Sequence, residues 1–253
     1  MKQLAPYTIG LFACAAFYAA TPVAQAGEMV EPIVVVEEGS GSLIDPVTGA
    51  VSFGYDSTYF FRGTNFGKDA PWASFDFSVP AGAFTIDGGI WYINPTSPSG
   101  AIPSDDNDEL DLYISASTTL GPVDVWLGYT AYIFPEFGSG STNEIGVGFG
   151  TSISIIDLGF GYYHDFDLET NYFEYSIGTS VDITDFLTGN IGVVLGHFED
   201  TDFHGIVSGG LDVAITDAAT FSSYIAYNFV GTEKRDRGFE SGLFGGVSIS
   251  VGF

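Results

Sequence analysis

Residues 241–253 read SGLFGGVSISVGF. Val247, Ile249, Val251 and Phe253 alternate with Ser248, Ser250 and Gly252. A period of two is the signature of a β-strand with one face against apolar material. One face here is oily, the other is small and polar, and an aromatic comes last. A soluble domain commonly ends in a frayed polar tail. A strand that alternates up to its final residue predicts instead a sheet closed on itself, with the last strand pairing with the first and no edge left over.

The same alternation recurs upstream. VSFGYDSTYFFRG (51–63) sets Val51, Phe53, Tyr55, Tyr59 and Phe61 on one face and Ser52, Gly54, Asp56 and Thr58 on the other. LDLYISASTTL (110–120) sets Leu110, Leu112, Ile114, Ala116 and Leu120 opposite Asp111, Tyr113, Ser115, Ser117 and Thr119. VDVWLGYTAYIF, EIGVGFGTSISI, YFEYSIGTSVDI, GIVSGGLDVAIT and TFSSYIAYNFV repeat the scheme. The pattern predicts about twelve strands, each roughly ten to fourteen residues long, which suits a tilted crossing of a bilayer. The predicted spans are 50–63, 70–79, 83–94, 109–120, 122–134, 143–155, 157–167, 170–183, 187–199, 203–216, 219–231 and 240–253.

The connections differ by parity. PAGA, LGP, IID, TDF and TDAA are short; NFGKD, NPTSPSGAIPSDDND, PEFGSGS, EDTD and GTEKRDRG are longer and polar. An up-and-down membrane barrel sorts its loops in this way, with tight turns at one end and long loops at the other. A soluble sandwich has no reason to. The predicted fold is therefore all-β, a closed antiparallel transmembrane barrel over residues 50–253. Aromatic girdles are predicted near the long loops (Phe60, Phe61, Tyr92, Tyr132, Phe134, Tyr162, Phe166, Tyr172, Phe198, Tyr227, Phe229) and near the short turns (Phe53, Phe77, Phe84, Phe186, Phe221, Phe253).

Composition agrees. The chain carries 32 acidic and 6 basic residues, a net charge of −26, so nucleic acid is an unsuitable partner. With 45% hydrophobic and 16% aromatic residues it is too apolar for disorder. Lys2, the apolar run from Ile9 to Ala20 and Ala24-Gln25-Ala26 predict a signal peptide over 1–26. Residues 27–49 read as a periplasmic leader. The only cysteine, Cys14, lies in that signal, which leaves an exported chain without thiol, disulfide or cysteine metal site.

The segment Tyr55-Asp56-Ser57-Thr58-Tyr59-Phe60-Phe61-Arg62-Gly63 resembles the first-strand motif of the TorF-type porin family, a conserved outer-membrane β-barrel family of unknown function. LGPVDVWLGYTAYIFPE and LGFGYYHDFDLETNYFEYSIG are similar to its middle hairpins, and the likeness spans about residues 51–253. Phe253 resembles the terminal aromatic that the outer-membrane barrel assembly machinery recognises. The resemblance implies a Gram-negative outer-membrane location and a channel role, and it brings no catalytic residue or substrate.

With the apolar faces turned outward, Asp56, Asp76, Asp87, Asp111, Asp124, Asp165, Glu174, Asp182 and Asp212 point inward as pore-lining residues, with Arg62 the one inward base near the mouth. Acidic walls of low dielectric attract cations. The expectation is a porin-like channel for passive diffusion of small solutes, with a cation preference and no cofactor. Inward Tyr and Phe could equally fill so modest a lumen, so a closed structural or adhesive barrel acting through its extracellular loops is the first alternative. The second is a lipase-type barrel enzyme. His164, His197 and His204 lie near the outer strand ends, yet no Gly-x-Ser-x-Gly elbow is present. No catalytic residue is assigned. Arg62, Lys68, Lys234, Arg235 and Arg237 fall at outer loops and could meet lipopolysaccharide phosphates. Asp105, Asp106, Asn107, Asp108 and Glu109 suggest calcium but lack EF-hand spacing, so no metal site is assigned.

Overall fold

The computed structural model describes residues 47–99, 107–135, 140–199, 203–231 and 239–253. The signal peptide, most of the leader, Asp105, Asp106, Lys234, Arg235 and Arg237 lie outside the described residues. Twelve strands follow one another: β1 (Thr48–Phe61), β2 (Thr64–Ala81), β3 (Phe84–Ile93), β4 (Glu109–Leu120), β5 (Val123–Phe134), β6 (Gly140–Ile153), β7 (Ile156–Asp165), β8 (Thr170–Thr184), β9 (Leu187–Phe198), β10 (His204–Thr216), β11 (Ala219–Val230) and β12 (Gly242–Gly252). Each pairs antiparallel with its sequence neighbours, and β1 pairs with β12 to close the barrel. The seam runs from Ala50 opposite Gly252 to Asp56 opposite Gly246. Gly49 and Phe253 exchange backbone hydrogen bonds of 2.9 Å beyond it. The closed ladder thus gives every strand a partner on both sides, as a hydrocarbon environment requires.

Parity decides what each side chain meets. Phe53, Ile114, Leu127, Val147, Ile177, Ile191, Ile225 and Ile249 all stand exposed on the outer surface. An apolar belt around a whole barrel far exceeds the patches that soluble monomers leave in water, and it suits lipid. The connections at one end are all two residues long, at 82–83, 121–122, 154–155, 185–186 and 217–218. Gly82, Gly121 and Ser154 take left-handed φ of 69°, 68° and 62° there, as tight hairpins demand.

Three expectations need correction. NFGKD is not a loop: its residues belong to β2, and the β1–β2 connection is a two-residue turn at Arg62-Gly63. Tyr59 and Phe61 do not face lipid; both are buried, together with Phe60 and Phe66. The upper girdle was overdrawn for the same reason. Tyr92, Phe166 and Tyr227 do stand on the exposed surface, whereas Tyr132, Phe134, Tyr172 and Phe198 are buried. Those four share strand parity with Asp124 (on β5), Glu174 (on β8) and Asn190 (on β9), and a two-residue step keeps a side chain on the same face. The lower girdle is outward: Phe53, Phe84, Phe186, Phe221 and Phe253 are all exposed.

Candidate functional site

The site is the barrel interior, and its shape follows from how far the first hairpin stays in the wall. β1 pairs with β12 only up to Asp56, whereas β2 pairs with β3 from Trp72 onward and stays hydrogen-bonded to the chain after β3 as far as Lys68, which exchanges backbone hydrogen bonds with Ser97. Between those points the two strands still pair with each other, from Thr58 opposite Lys68 to Phe61 opposite Thr64, with a register shift at Tyr59/Phe60. The tip of this hairpin, Tyr59 to Gly67, turns inward, and every residue of it is buried. Both turn residues adopt left-handed backbone, Arg62 at φ 44° and Gly63 at φ 86°, the pattern of a type I′ turn. A glycine is needed at the second position. A Cβ on Gly63 would lie 2.7 Å from the Phe239 ring and 2.8 Å from His204 Cβ. Arginine at the first position carries a backbone cost of about 1–2 kcal/mol.

The tip reaches the far wall. Arg62 Nη1 and Nη2 donate to Glu144 Oε2 and Oε1 on β6 at 2.7 and 3.0 Å, a two-pronged ion pair with both side chains buried. The guanidinium lies 4.0 Å from the centre of the Tyr172 ring on β8, 4.7 Å from Tyr163 on β7 and 4.9 Å from Phe61. Twelve strands about 4.8 Å apart and tilted by about 40° enclose a backbone radius of roughly 12 Å. The hairpin spans that interior.

Side chains on every side fix it there. Asn228 donates to the Gly63 carbonyl at 3.3 Å, Asn65 donates to Glu240 at 2.8 Å, and Thr64 bridges Phe239. On the opposite edge Ser99 donates to the Asn65 carbonyl and Asn107 to the Phe66 carbonyl, each at 2.8 Å. Tyr59 donates to Glu109 Oε2 at 3.2 Å. Below the tip the hairpin aromatics join Trp72, Trp91, Tyr113, Trp126, Tyr163, Tyr172, Phe198 and Phe244 in one buried cluster. All three tryptophans of the chain thus point inward. Inward glycines make room for them. A Cβ on Gly146 would sit 2.9 Å from Trp126 and 2.8 Å from Tyr163. The upper interior is therefore an aromatic core as well as a carboxylate-bearing one.

The predicted inward acids divide into two tiers. Asp56, Asp76, Asp111, Asp165 and Glu174 are buried in the upper tier. Most of them serve as acceptors for hydroxyls there. Tyr224 donates to Asp56 at 2.6 Å, Ser74 to Asp76 at 2.9 Å and Tyr172 to Glu174 at 3.2 Å. Tyr113 also donates to Asp76, and Thr142 to Asp165. Asp165 Oδ1 further accepts from the Asp167 and Leu168 amides, which ties the end of β7 to its turn. Asp111 lies beside Glu109 on the same face of β4. The lower tier opens toward the short-turn end. Asp87, Asp124 and Asp212 are half-buried and Asp182 is exposed. Thr119 donates to Asp124, Thr188 to Asp182 and Asn190 to Asp212. Arg62 is buried at the hairpin tip, and Lys68 is exposed at the mouth.

The barrel has the fold of outer-membrane channels. Among solved structures it is similar to the COG4313 outer membrane channel from Pseudomonas putida F1, with a TM-score of 0.50 and 9% identity over 86% of this chain and 100% of that one. It is also similar to the NanC porin, with a TM-score of 0.51 and 12% identity over 80% of this chain and 98% of that one. No protein-family model and no curated protein matches the chain.

Two carboxylates central to the site were not among the predicted lining residues. Glu144 opens the alternation EIGVGFG and shares parity with the inward glycines 146 and 148, so its direction was readable. Glu109 opens the predicted strand 109–120 and is the first residue of β4, but it was counted with the acidic run 105–109 and not with the inward acids; it anchors Tyr59. The histidines are dispersed. His164 Nδ1 pairs with Asn171 Oδ1, and His197 stacks on Phe173 with its Nδ1 near the Phe198 carbonyl. His204 Nε2 meets the Tyr172 hydroxyl inside the barrel at 3.0 Å.

Proposed function

We propose that this chain is an outer-membrane porin-like channel for small solutes, cation-preferring, whose own first hairpin closes it at rest. The observation that carries this reading is the one-sided charge of the interior. Carboxylates line both tiers, while the one buried cationic side chain among the described residues, Arg62, is already matched by Glu144. Unmatched acids in a low-dielectric wall concentrate cations and repel anions. The likeness to outer-membrane channels in fold is consistent with that role, as is the resemblance of the first-strand motif to the TorF-type porins. Under this reading Lys68, exposed on β2 at the mouth, meets lipopolysaccharide, and Phe253 serves recognition by the assembly machinery. The histidine surroundings, an amide, a backbone carbonyl and a tyrosine, lend no support to a lipase-type enzyme.

A closed structural or adhesive barrel is the second reading, and the packed hairpin favours it. Planar-bilayer recordings of the refolded chain in a KCl gradient decide between them. The channel reading expects infrequent openings whose reversal potential lies on the potassium side. Reversal on the chloride side would remove the cation preference. Silence of both the intact barrel and one lacking the hairpin tip would favour the closed reading.

A further inference from the structure

We infer that Glu144, Tyr163 and Tyr172 form a binding site for guanidinium-bearing solutes, that Arg62 occupies it as a tethered stand-in, and that a free guanidinium compound competes with Arg62 for it. The parts of this site belong to the wall, not to the hairpin. Glu144 stands on β6 and accepts a hydrogen bond from Tyr132 on β5 at 3.1 Å. Tyr172 is held by His204 at 3.0 Å and by Glu174 at 3.2 Å. Tyr163 is packed against Tyr172, with ring centres 5.9 Å apart, and against Trp126 at 5.7 Å. Carboxylate and rings are thus oriented by wall partners of their own, and the site persists when the tip withdraws.

The geometry selects the ligand. Two parallel N–H···O bonds of 2.7 and 3.0 Å match the planar fork of a guanidinium; a point-charge ammonium or an alkali ion cannot form them together. The Tyr172 ring at 4.0 Å adds the flat face on which that cation stacks. The hairpin delivers the group at the cost of a left-handed arginine, φ 44°. A tether also sets the competition. A linked group acts at an effective concentration of at least about millimolar, so free ligand engages the intact chain weakly and the untethered site well.

Passage of such solutes rests on the cation-channel reading above; the site itself does not. The test is therefore binding and current on the same protein. Guanidinium chloride at non-denaturing millimolar concentration is titrated into the refolded full chain carrying Arg62→Ala, with sodium chloride as the matched control, and tryptophan emission is followed. Trp126 reports because of its contact with Tyr163. A saturable response at least about tenfold tighter than in the unsubstituted chain is expected, absent from the Arg62→Ala/Glu144→Gln double variant. A response no different from that of sodium, or one surviving Glu144→Gln, overturns the site. If Arg62→Ala does not fold, Arg62→Lys keeps the charge without the fork and answers the same titration. Saturable binding with no ionic current in any variant leaves the site standing and removes the channel reading. Current without guanidinium binding or block does the reverse.

Discussion

Thr58 and Lys68 face each other in the β1–β2 ladder. Replacing residues 59–67 by Asn-Gly joins that pair through the shortest natural hairpin turn and deletes the inturned tip while leaving the wall intact. The magnitude follows from what the tip buries. Tyr59, Phe60, Phe61 and Phe66 are each at most 2% exposed. Withdrawing them into water forfeits about 1.5–3 kcal/mol apiece, hence about 6–12 kcal/mol together, before the Arg62–Glu144 pair is counted. At about 1.4 kcal/mol per factor of ten, even the lower figure leaves the intact barrel open for roughly one part in 10⁴ of the time. The shortened barrel is open throughout. In planar bilayers its mean open probability is expected to rise by at least about 10³ over the intact chain, and its tryptophan emission shifts to the red as Trp72, Trp91 and Trp126 meet water. A shortened barrel that keeps its heat-modifiable mobility on gels, and so is folded, yet conducts no better than the parent would refute the reasoning.

Other outcomes follow from parity. Leu127 lies mid-strand on the exposed face of β5, so Leu127→Arg is expected to cost about 2–4 kcal/mol in folding into lipid vesicles, measured by urea titration. Ser117→Asp, on the same inward face of β4 but half-buried toward the open tier, is expected to cost less than half as much in the same assay. In the shortened barrel, Asp124→Asn combined with Asp212→Asn removes two carboxylates from the open tier. The reversal potential in a KCl gradient should then move toward zero, and no movement would assign selectivity elsewhere.

The period of two located all twelve strands to within a few residues, apart from β2, and the two-residue turns were visible as short polar breaks. What the alternation concealed is instructive. Tyr59-Phe60-Phe61 breaks it with three aromatics in succession, a pattern a lipid-facing wall strand has no use for. It fits a hairpin buried on both faces. NFGKD looked like a loop because glycine and charge mark turns, but its backbone continues the ladder with β1 and the real turn sits at Arg62-Gly63. The direction of each inward acid was legible strand by strand. The partner of Arg62 was not, because Glu144 lies across the barrel, 82 residues away in sequence. Such a contact depends on closure, and no local pattern carries it. Parity, not nearness to a loop, decides which aromatics form the girdle, as at Tyr172, two residues before inward Glu174.

The central claim is that the tip of the first hairpin crosses the lumen and rests on the opposite wall. The chain has one cysteine, Cys14, so introduced pairs are easily read. Arg62→Cys with Glu144→Cys sets two thiols facing each other where the ion pair stood, within reach of a short bifunctional thiol reagent. Treatment of this variant, folded in outer membranes, is expected to link the pair nearly completely and to suppress any residual current. No crosslink in a folded barrel, under conditions that link a neighbouring-strand control pair on the wall, would place the hairpin elsewhere and contradict the account.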